Sequence, residues 1–367
     1  MTPTLLHVFP TFAVGGAQAR FAAIANHVGL AVRHIVVSLD GRLNAREKLN
    51  PSLDVTFADA GEGAGHFGEF RRARRFLAGV KADLLITSNW GSMDWAAARL
   101  LTGMRHVHTS DGFGPEEQDA QLPRRVWARR VLLRRGLLVV PSRTLLHMAT
   151  DVWRLPAAGV RYIPNGIDVV RFAGATPATL PPGEGPVIGT IAALRQEKNL
   201  ARLIRAFASA CAICGPARLV PPRLVIVGDG ESRGELEALA DSLGMRGAVH
   251  FAGHSTTPET WLAACDIFAL SSDTEQMPLS LLEAMAAGLP AVCTDVGDVR
   301  AMLSPENASF VVPRDDTAFA GGLVALLKDP ALRRHIGTAN RARAAAVFDQ
   351  ADMFTAWRQI WLGAGGR

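Results

Sequence analysis

Ser271-Ser272-Asp273-Thr274-Glu275-Gln276-Met277-Pro278-Leu279-Ser280-Leu281-Leu282-Glu283-Ala284-Met285-Ala286-Ala287-Gly288-Leu289-Pro290 joins two carboxylates, eight positions apart, through the start of a helix. The apolar run that leads into it, Asp266-Ile-Phe-Ala-Leu-Ser-Ser272, reads as a buried strand. Pro278 in a first turn, followed by the stripe Leu279, Leu282, Met285 and Ala286, predicts a helix. Glu275 then lies in the loop before the helix and Glu283 about two turns into it. Backbone N–H groups of Met277, Leu279 and Ser280 at the helix start can receive a diphosphate or a sugar hydroxyl, and a carboxylate on either side can accept hydrogen bonds from hydroxyls.

Outward from this stretch, apolar strand-like runs alternate with helical patterns, which predicts α/β architecture with parallel sheets. The alternation occurs twice. Runs such as LLHVF, HIVVSL, DLLITS and LLVVPS fill the first half, and PVIGTIA, RLVIVG, AVHFAG, DIFALSS and PAVCT the second. Two doubly wound, Rossmann-like domains follow, at residues 1–175 and 187–349, separated by the Pro- and Gly-rich linker 173–186, with a last helix in 350–367. Ligands in such sheets are expected at the carboxyl ends of the strands, in a cleft between the facing domains.

A chain of 367 residues supports two cores, and its 49% hydrophobic and 20% charged content is that of a globular protein. Four cysteines make no disulfide framework; Cys211 and Cys214 fall on a helical pattern without a second pair, which argues against zinc. The first residues lack a basic leader, and no apolar run reaches the ~18 residues needed to span a bilayer, so a cytoplasmic location is expected. Charge is uneven: residues 1–180 hold 22 Lys or Arg against 14 Asp or Glu (+8), and the remainder 17 against 20 (−3), summing to +5. The arginines cluster at Arg71, Arg72, Arg74, Arg75 and at Arg124, Arg125, Arg129, Arg130, Arg134, Arg135. A basic amphipathic helix predicts peripheral contact with an anionic inner membrane face. No aromatic-bearing RNA motif or zinc-finger spacing supports nucleic-acid binding.

The pattern S-x-x-E-x-x-P-x-x-x-x-E-A-M-A-x-G-x-P resembles the signature of retaining glycosyltransferases of family 4, which have the GT-B fold. The resemblance implies that Glu275 contacts the transferred sugar and Glu283 the nucleotide ribose. Gln276-Met277 replaces the family's Gly-Phe. Around Ile188–Asn199 the chain resembles the loop that holds the donor diphosphate: Lys198 matches, Ala193 occupies the usual Arg position, and Arg195 is expected to substitute. Gly15 and Gly16, in G-G-A-Q after the first strand, resemble the loop facing the donor phosphates. The segment Arg105–Gly114 holds the candidates for a sugar-facing side chain, His108 or Asp111. Met277, Pro278, Leu279, Gly228 and Gly253 complete the expected donor contacts.

The implied activity is retaining transfer of a sugar from a nucleoside-diphosphate sugar to a hydroxyl of a glycan or lipid-linked acceptor, in cell-surface polysaccharide or glycolipid biosynthesis. Two cations neutralising the diphosphate would take the place of a metal, so no metal and no cofactor are expected. A sugar-nucleotide epimerase of the same fold and a non-catalytic sugar-nucleotide-binding protein are the alternatives. In the resembling fold the last helix returns to the first domain, a position in which Trp357 and Trp361 would anchor it.

Overall fold

Strands β1 (Thr4–Phe9), β2 (Arg33–Ser38), β3 (Val55–Phe57), β4 (Leu84–Ser88), β5 (Arg105–Thr109), β6 (Leu137–Val140) and β7 (Val160–Tyr162) form one sheet in the order β3-β2-β1-β4-β5-β6-β7. A second sheet contains β8 (Val187–Ile191), β9 (Arg223–Val227), β10 (Val249–Gly253), β11 (Ile267–Leu270), β12 (Ala291–Thr294) and β13 (Val311–Val312), in the order β10-β9-β8-β11-β12-β13. Every strand pair in both sheets is parallel. The computed structural model describes residues 2–61, 63, 65–113, 115–117, 120–215 and 220–363. Gly114 of the sugar-facing segment and 364–367 of the last segment lie outside the described residues.

The central strands have no polar face. All five positions of β4 and all four of β11 are buried, as expected where helices cover both sides of a parallel sheet. This is the α/β, doubly wound architecture that the alternating runs predict.

The chain divides into two units, Met1–Asn165 with Ala351–Arg367, and Gly166–Gln350. The short helix Val169–Ala173, which the composition-based boundary leaves in the first domain, belongs to the second unit because Phe172 is buried there with Leu281, Met285 and Phe348. In the first unit, the helix Gln350–Trp361 packs Trp357 and Trp361 into a core with Phe9, Phe21 and Ile24.

Beneath Trp361 lies a buried histidine pair, with His7 Nε2 and His34 Nδ1 3.0 Å apart. The Trp361 ring stands 5.5 Å from His7 and 5.2 Å from His34. Burial drives the His7 pKa well down, and it lowers His34 to about 4 although Asp54 pulls the other way. His34 Nε2 is buried with no hydrogen-bond partner among the described residues, so a proton there would find no acceptor. The unfolded chain binds protons at these histidines from pH ~6.5 downward and the folded chain does not, so folding stability is lost as pH falls from ~6.5 toward 4. His34 alone is expected to cost about 2 kcal/mol at pH 5. Thermal unfolding at pH 7 and pH 5 should show this, and His34→Gln should flatten the slope; equal midpoints at both pH values would contradict it.

Candidate active site

The order of the second sheet reverses between β8 and β11, so its topological switch point lies outside their carboxyl ends. The loops that leave these two strands carry Lys198 and Glu275. Lys198 Nζ is 2.6 Å from Glu275 Oε1, and Ser272 Oγ donates to the same oxygen at 2.8 Å. The pair is only partly accessible, with side-chain exposures of 25% for Lys198 and 10% for Glu275.

A dense set of bonds holds the two loops together. Asp273 N donates to Glu197 O at 2.9 Å and Ser271 Oγ to Lys198 O at 3.1 Å. Asn199 takes a left-handed φ of 40°, caps the helix Leu200–Cys214 by accepting from Arg202 N, and donates from Nδ2 to Asp273 at 2.8 Å. Arg202, buried, donates to Asp273 Oδ1 and to Ser271 O, each at 2.7 Å. Asp273, Asn199 and Arg202 therefore position the pair, although the motif reading does not single them out. Asn199 alone carries a local signal, as an N-cap residue directly before an apolar helical stripe.

Two glycine contacts shape the same floor. A Cβ on Gly228 would sit 1.9 Å from Ala192 O, so only glycine lets the loop after β9 pass under the loop that carries Arg195 and Lys198. Gly228 N donates to Gly253 O at 2.8 Å, tying the ends of β9 and β10 together. Gly297, at φ +52°, faces Glu275 O, which a Cβ would approach to 2.1 Å.

Arg195 is exposed, with no side-chain partner among the described residues. The helix Leu279–Ala287 starts after Pro278, and its first two N–H groups, of Leu279 and Ser280, precede the first bond back to Pro278 O, made by Leu281 N at 3.2 Å. Met277 is buried in the core beneath. Glu283 lies half-buried on that helix.

In the first unit the corresponding reversal is between β1 and β4. Gly15 and Gly16 follow β1 and open the helix Gly16–Val28. Gly15 is extended rather than left-handed, and the nearest atom a Cβ there would meet is Gln18 Oε1, at 2.8 Å, the end of a flexible side chain. The side chain of His108 points into the sheet. It is buried, and Thr87 Oγ1 lies 2.8 Å from both His106 Nε2 and His108 Nδ1. Burial, with the nearby Arg129 charge, lowers its pKa to about 3. A sugar-facing role therefore does not suit His108, because its ring is committed to Thr87 and enclosed. Asp111 lies past the strand end, with its N–H on Asn89 Oδ1 at 2.7 Å and Oδ1 on Arg20 Nη1 at 2.5 Å. Its other oxygen, Oδ2, has no partner among the described residues.

The arginine-rich helix, Pro123–Leu132, is less available than its charge count suggests. Arg129 is buried on Glu117, Arg125 pairs with Glu116 and Glu117, and Arg130 donates to Trp153 O and Val152 O. Among the described residues, no group of three or more His, Cys, Asp or Glu is placed to hold a metal ion, and no helix is long and apolar enough to cross a membrane. All four cysteines are free, and burial pushes the Cys265 thiol up to about 12.

Residues 14–171 match the model for Glycosyltransferase Family 4, and residues 176–343 the model for Glycosyl transferases group 1. The chain belongs to glycosyltransferase family 4. This family 4 chain is 30% identical, over 203 residues, to the lipopolysaccharide core biosynthesis glycosyltransferase LpsE of Rhizobium meliloti (strain 1021), an alignment that covers 55% of this chain and 57% of LpsE. It thus spans little more than half the length of that relative. Among solved structures, it is similar to sucrose-phosphate synthase of Thermosynechococcus elongatus, with a TM-score of 0.78 and 18% identity over 99% of this chain and 100% of that one. Anabaena HepE in complex with UDP-glucose gives a TM-score of 0.78 and 20% identity, over 98% of this chain and 99% of HepE. The fold of the family 4 chain is GT-B.

Proposed function

We propose that the chain is a retaining glycosyltransferase that moves a sugar from a nucleoside-diphosphate sugar to a hydroxyl of a glycan or lipid-linked acceptor, in cell-surface polysaccharide or glycolipid biosynthesis, without a metal ion. The observation that carries this reading is the Lys198–Glu275 pair at the switch point of the second sheet. A cation and a carboxylate in contact there offer what a sugar diphosphate presents: negative charge at the leaving group and hydroxyls on the ring.

Lys198 and the free Arg195 would neutralise the diphosphate as the C1–O bond breaks, the stage at which fixed charge lowers the barrier most. Glu275 would accept hydroxyls of the transferred sugar and Glu283 those of the ribose. The N–H groups at the start of the helix Leu279–Ala287 add donors for the anion. The new bond forms from the acceptor oxygen to C1 on the face the diphosphate leaves, and the acceptor proton passes to the departing phosphate oxygen, which preserves the anomeric configuration. In the first unit Asp111, with Oδ2 unpaired among the described residues, is better suited than His108 to receive a hydroxyl.

A UDP-sugar donor is favoured by the likeness to HepE, which was solved with UDP-glucose. Peripheral contact with an anionic membrane rests on the outward side of the helix Pro123–Leu132 and the residues after it, where Trp127 (65% exposed) and Val131 (44%) lie among the exposed Arg124, Arg134 and Arg135.

Thermal unfolding against UDP, GDP, ADP and their sugar conjugates tests the donor site. A ligand at 100 times its Kd adds about 2.7 kcal/mol, a shift of several degrees. One nucleotide family is expected to stabilise the protein, and Glu283→Gln to lose most of that shift. No stabilisation by any of the three would remove the reading.

A further inference from the structure

Asn89 takes φ 57° and ψ −178°, a combination that strains a side chain and that glycine normally occupies. Asn199, the other asparagine with positive φ, lies in the ordinary left-handed region, where its helix cap accounts for it. Asn89 makes no such cap with its side chain. It leaves β4 where the first sheet reverses between β1 and β4, the place at which an open parallel sheet takes its ligand.

The neighbouring loops hold the residue in this conformation. Its N–H donates to Thr109 O at 2.8 Å, and its carbonyl accepts from Ser92 Oγ at 3.1 Å and from Ser92 N at 3.3 Å. A Cβ on Gly91 would lie 2.8 Å from Pro10 Cβ, so the turn after Asn89 is pressed against the loop that leaves β1. The side chain is fixed as well, because its Oδ1 accepts the Asp111 N–H at 2.7 Å. A backbone N–H only donates, so this bond also decides which end of the amide is oxygen. Backbone N–H, carbonyl and Oδ1 are therefore all spent. Nδ2, which carries two N–H donors, has no hydrogen-bond partner among the described residues and is not enclosed.

A strained residue tied down at every group but one presents that group in a fixed direction. Arg195, Lys198, Glu275 and Glu283, the side chains read as holding the donor, all belong to the second unit, which leaves the acceptor to the first. We propose that Asn89 is an acceptor-binding residue, whose Nδ2 donates to an oxygen of the acceptor sugar while Asp111, bonded to the same amide, receives a hydroxyl. The inference rests on the reading of the chain as a glycosyltransferase and adds to it a residue that recognises the acceptor. An amide donor and a carboxylate acceptor on adjoining loops complement a pair of sugar hydroxyls, one accepting and one donating.

Asn89→Gly separates this role from a structural one. Glycine takes φ 57° without strain, so the thermal midpoint should hold or rise although the Asp111 bond is lost, whereas Asn89→Ala, which keeps the strain, should lower it. Transfer is assayed on cell-surface glycan extracted from source cells that lack this protein, in which the unextended acceptor accumulates, with labelled UDP-glucose, UDP-galactose, GDP-mannose and ADP-glucose as donors. The unaltered chain is expected to label the glycan with one of them. Asn89→Gly should raise the KM for the glycan about tenfold or more, with the nucleotide-induced thermal shift of the unaltered chain. Asn89→Asp keeps the shape and the bond to the Asp111 N–H but has no donor, and should raise the KM as well.

The proposal is overturned if Asn89→Gly transfers sugar with an unaltered KM, which would leave the amide a backbone anchor. It is equally overturned if the midpoint and the nucleotide shift of Asn89→Gly fall together with transfer, since the residue would then only hold the fold. Failure of the unaltered chain to label the glycan with any donor removes the glycosyltransferase reading and this assignment with it. Labelling that Asn89→Gly and Asn89→Asp leave untouched removes the assignment alone.

Discussion

Glu275→Gln is expected to reduce sugar transfer by ~10²–10³-fold, the loss typical of removing one preorganised polar group at a reacting centre, while nucleotide binding persists. Glu275 accepts from Lys198 Nζ and from Ser272 Oγ, and the amide retains the shape and one of these bonds. The thermal midpoint should therefore move only slightly. Lys198, relieved of its carboxylate partner, becomes more available to a diphosphate, so nucleotide affinity should hold or tighten. A protein that only senses sugar nucleotides has no use for Glu275 and would show no such division between binding and turnover. The measurement is kcat for sugar transfer beside a nucleotide titration, once the donor class is known. Unchanged kcat would remove Glu275 from the reaction, and loss of nucleotide binding would mean that it holds the site together instead.

The extent to which this site is legible in the sequence follows from the range of its contacts. Parallel sheets are visible because burial on both faces leaves unbroken apolar runs such as those that begin Leu84-Leu85-Ile86 and Ile267-Phe268-Ala269-Leu270. Lys198 and Glu275 lie 77 positions apart, and periodicity does not pair them; the family resemblance nominates each separately, and the structure brings them together. The bonds of Asp273 to Asn199 and Arg202 span 74 and 71 positions, between residue types that occur in any loop, so no local pattern distinguishes them. Gly297 likewise reads as an ordinary turn until Glu275 O is found above it.

His108 shows a different limit. Alternation places His106 and His108 on one face of β5, but which face is enclosed depends on Thr87 in the neighbouring strand, whose hydroxyl lies between the two rings. Charge counting has the same weakness. Ten arginines in two clusters predict a basic surface, yet Arg125, Arg129 and Arg130 are spent on Glu116, Glu117 and backbone carbonyls, and Arg72 pairs with Glu69.

Arg129→Met is expected to destabilise the first unit by about 3–5 kcal/mol, because it strands a buried carboxylate. The Glu117 side chain has no exposure and accepts from Arg129 Nη1 at 2.9 Å and Nη2 at 2.6 Å, from Arg125 at 3.1 Å and from Leu122 N at 3.2 Å. Burial pushes its pKa up, but the Arg129 bonds and charge outweigh it and hold the carboxyl below its usual value. The Arg129 guanidinium also lies over Trp90, Phe113 and Trp153 at 5.1, 5.3 and 5.0 Å. Methionine can fill that aromatic space, so the cost falls on Glu117, which keeps only Arg125 and a backbone donor. Replacing both partners, as Glu117→Leu with Arg129→Met, removes the stranded charge and should recover most of the loss. Tryptophan fluorescence during thermal unfolding reads the cluster directly through Trp90 and Trp153; at ~2–4 °C per kcal/mol the single variant should fall by about 10 °C. A fall of only 2 °C, or a double variant weaker than the single, would show that Glu117 finds water or another cation and that the pair is not the anchor of this loop region. Phe113, packed 6.4 Å from Trp153, stands two residues after Asp111, so a variant that loosens it should lower turnover even below its unfolding temperature.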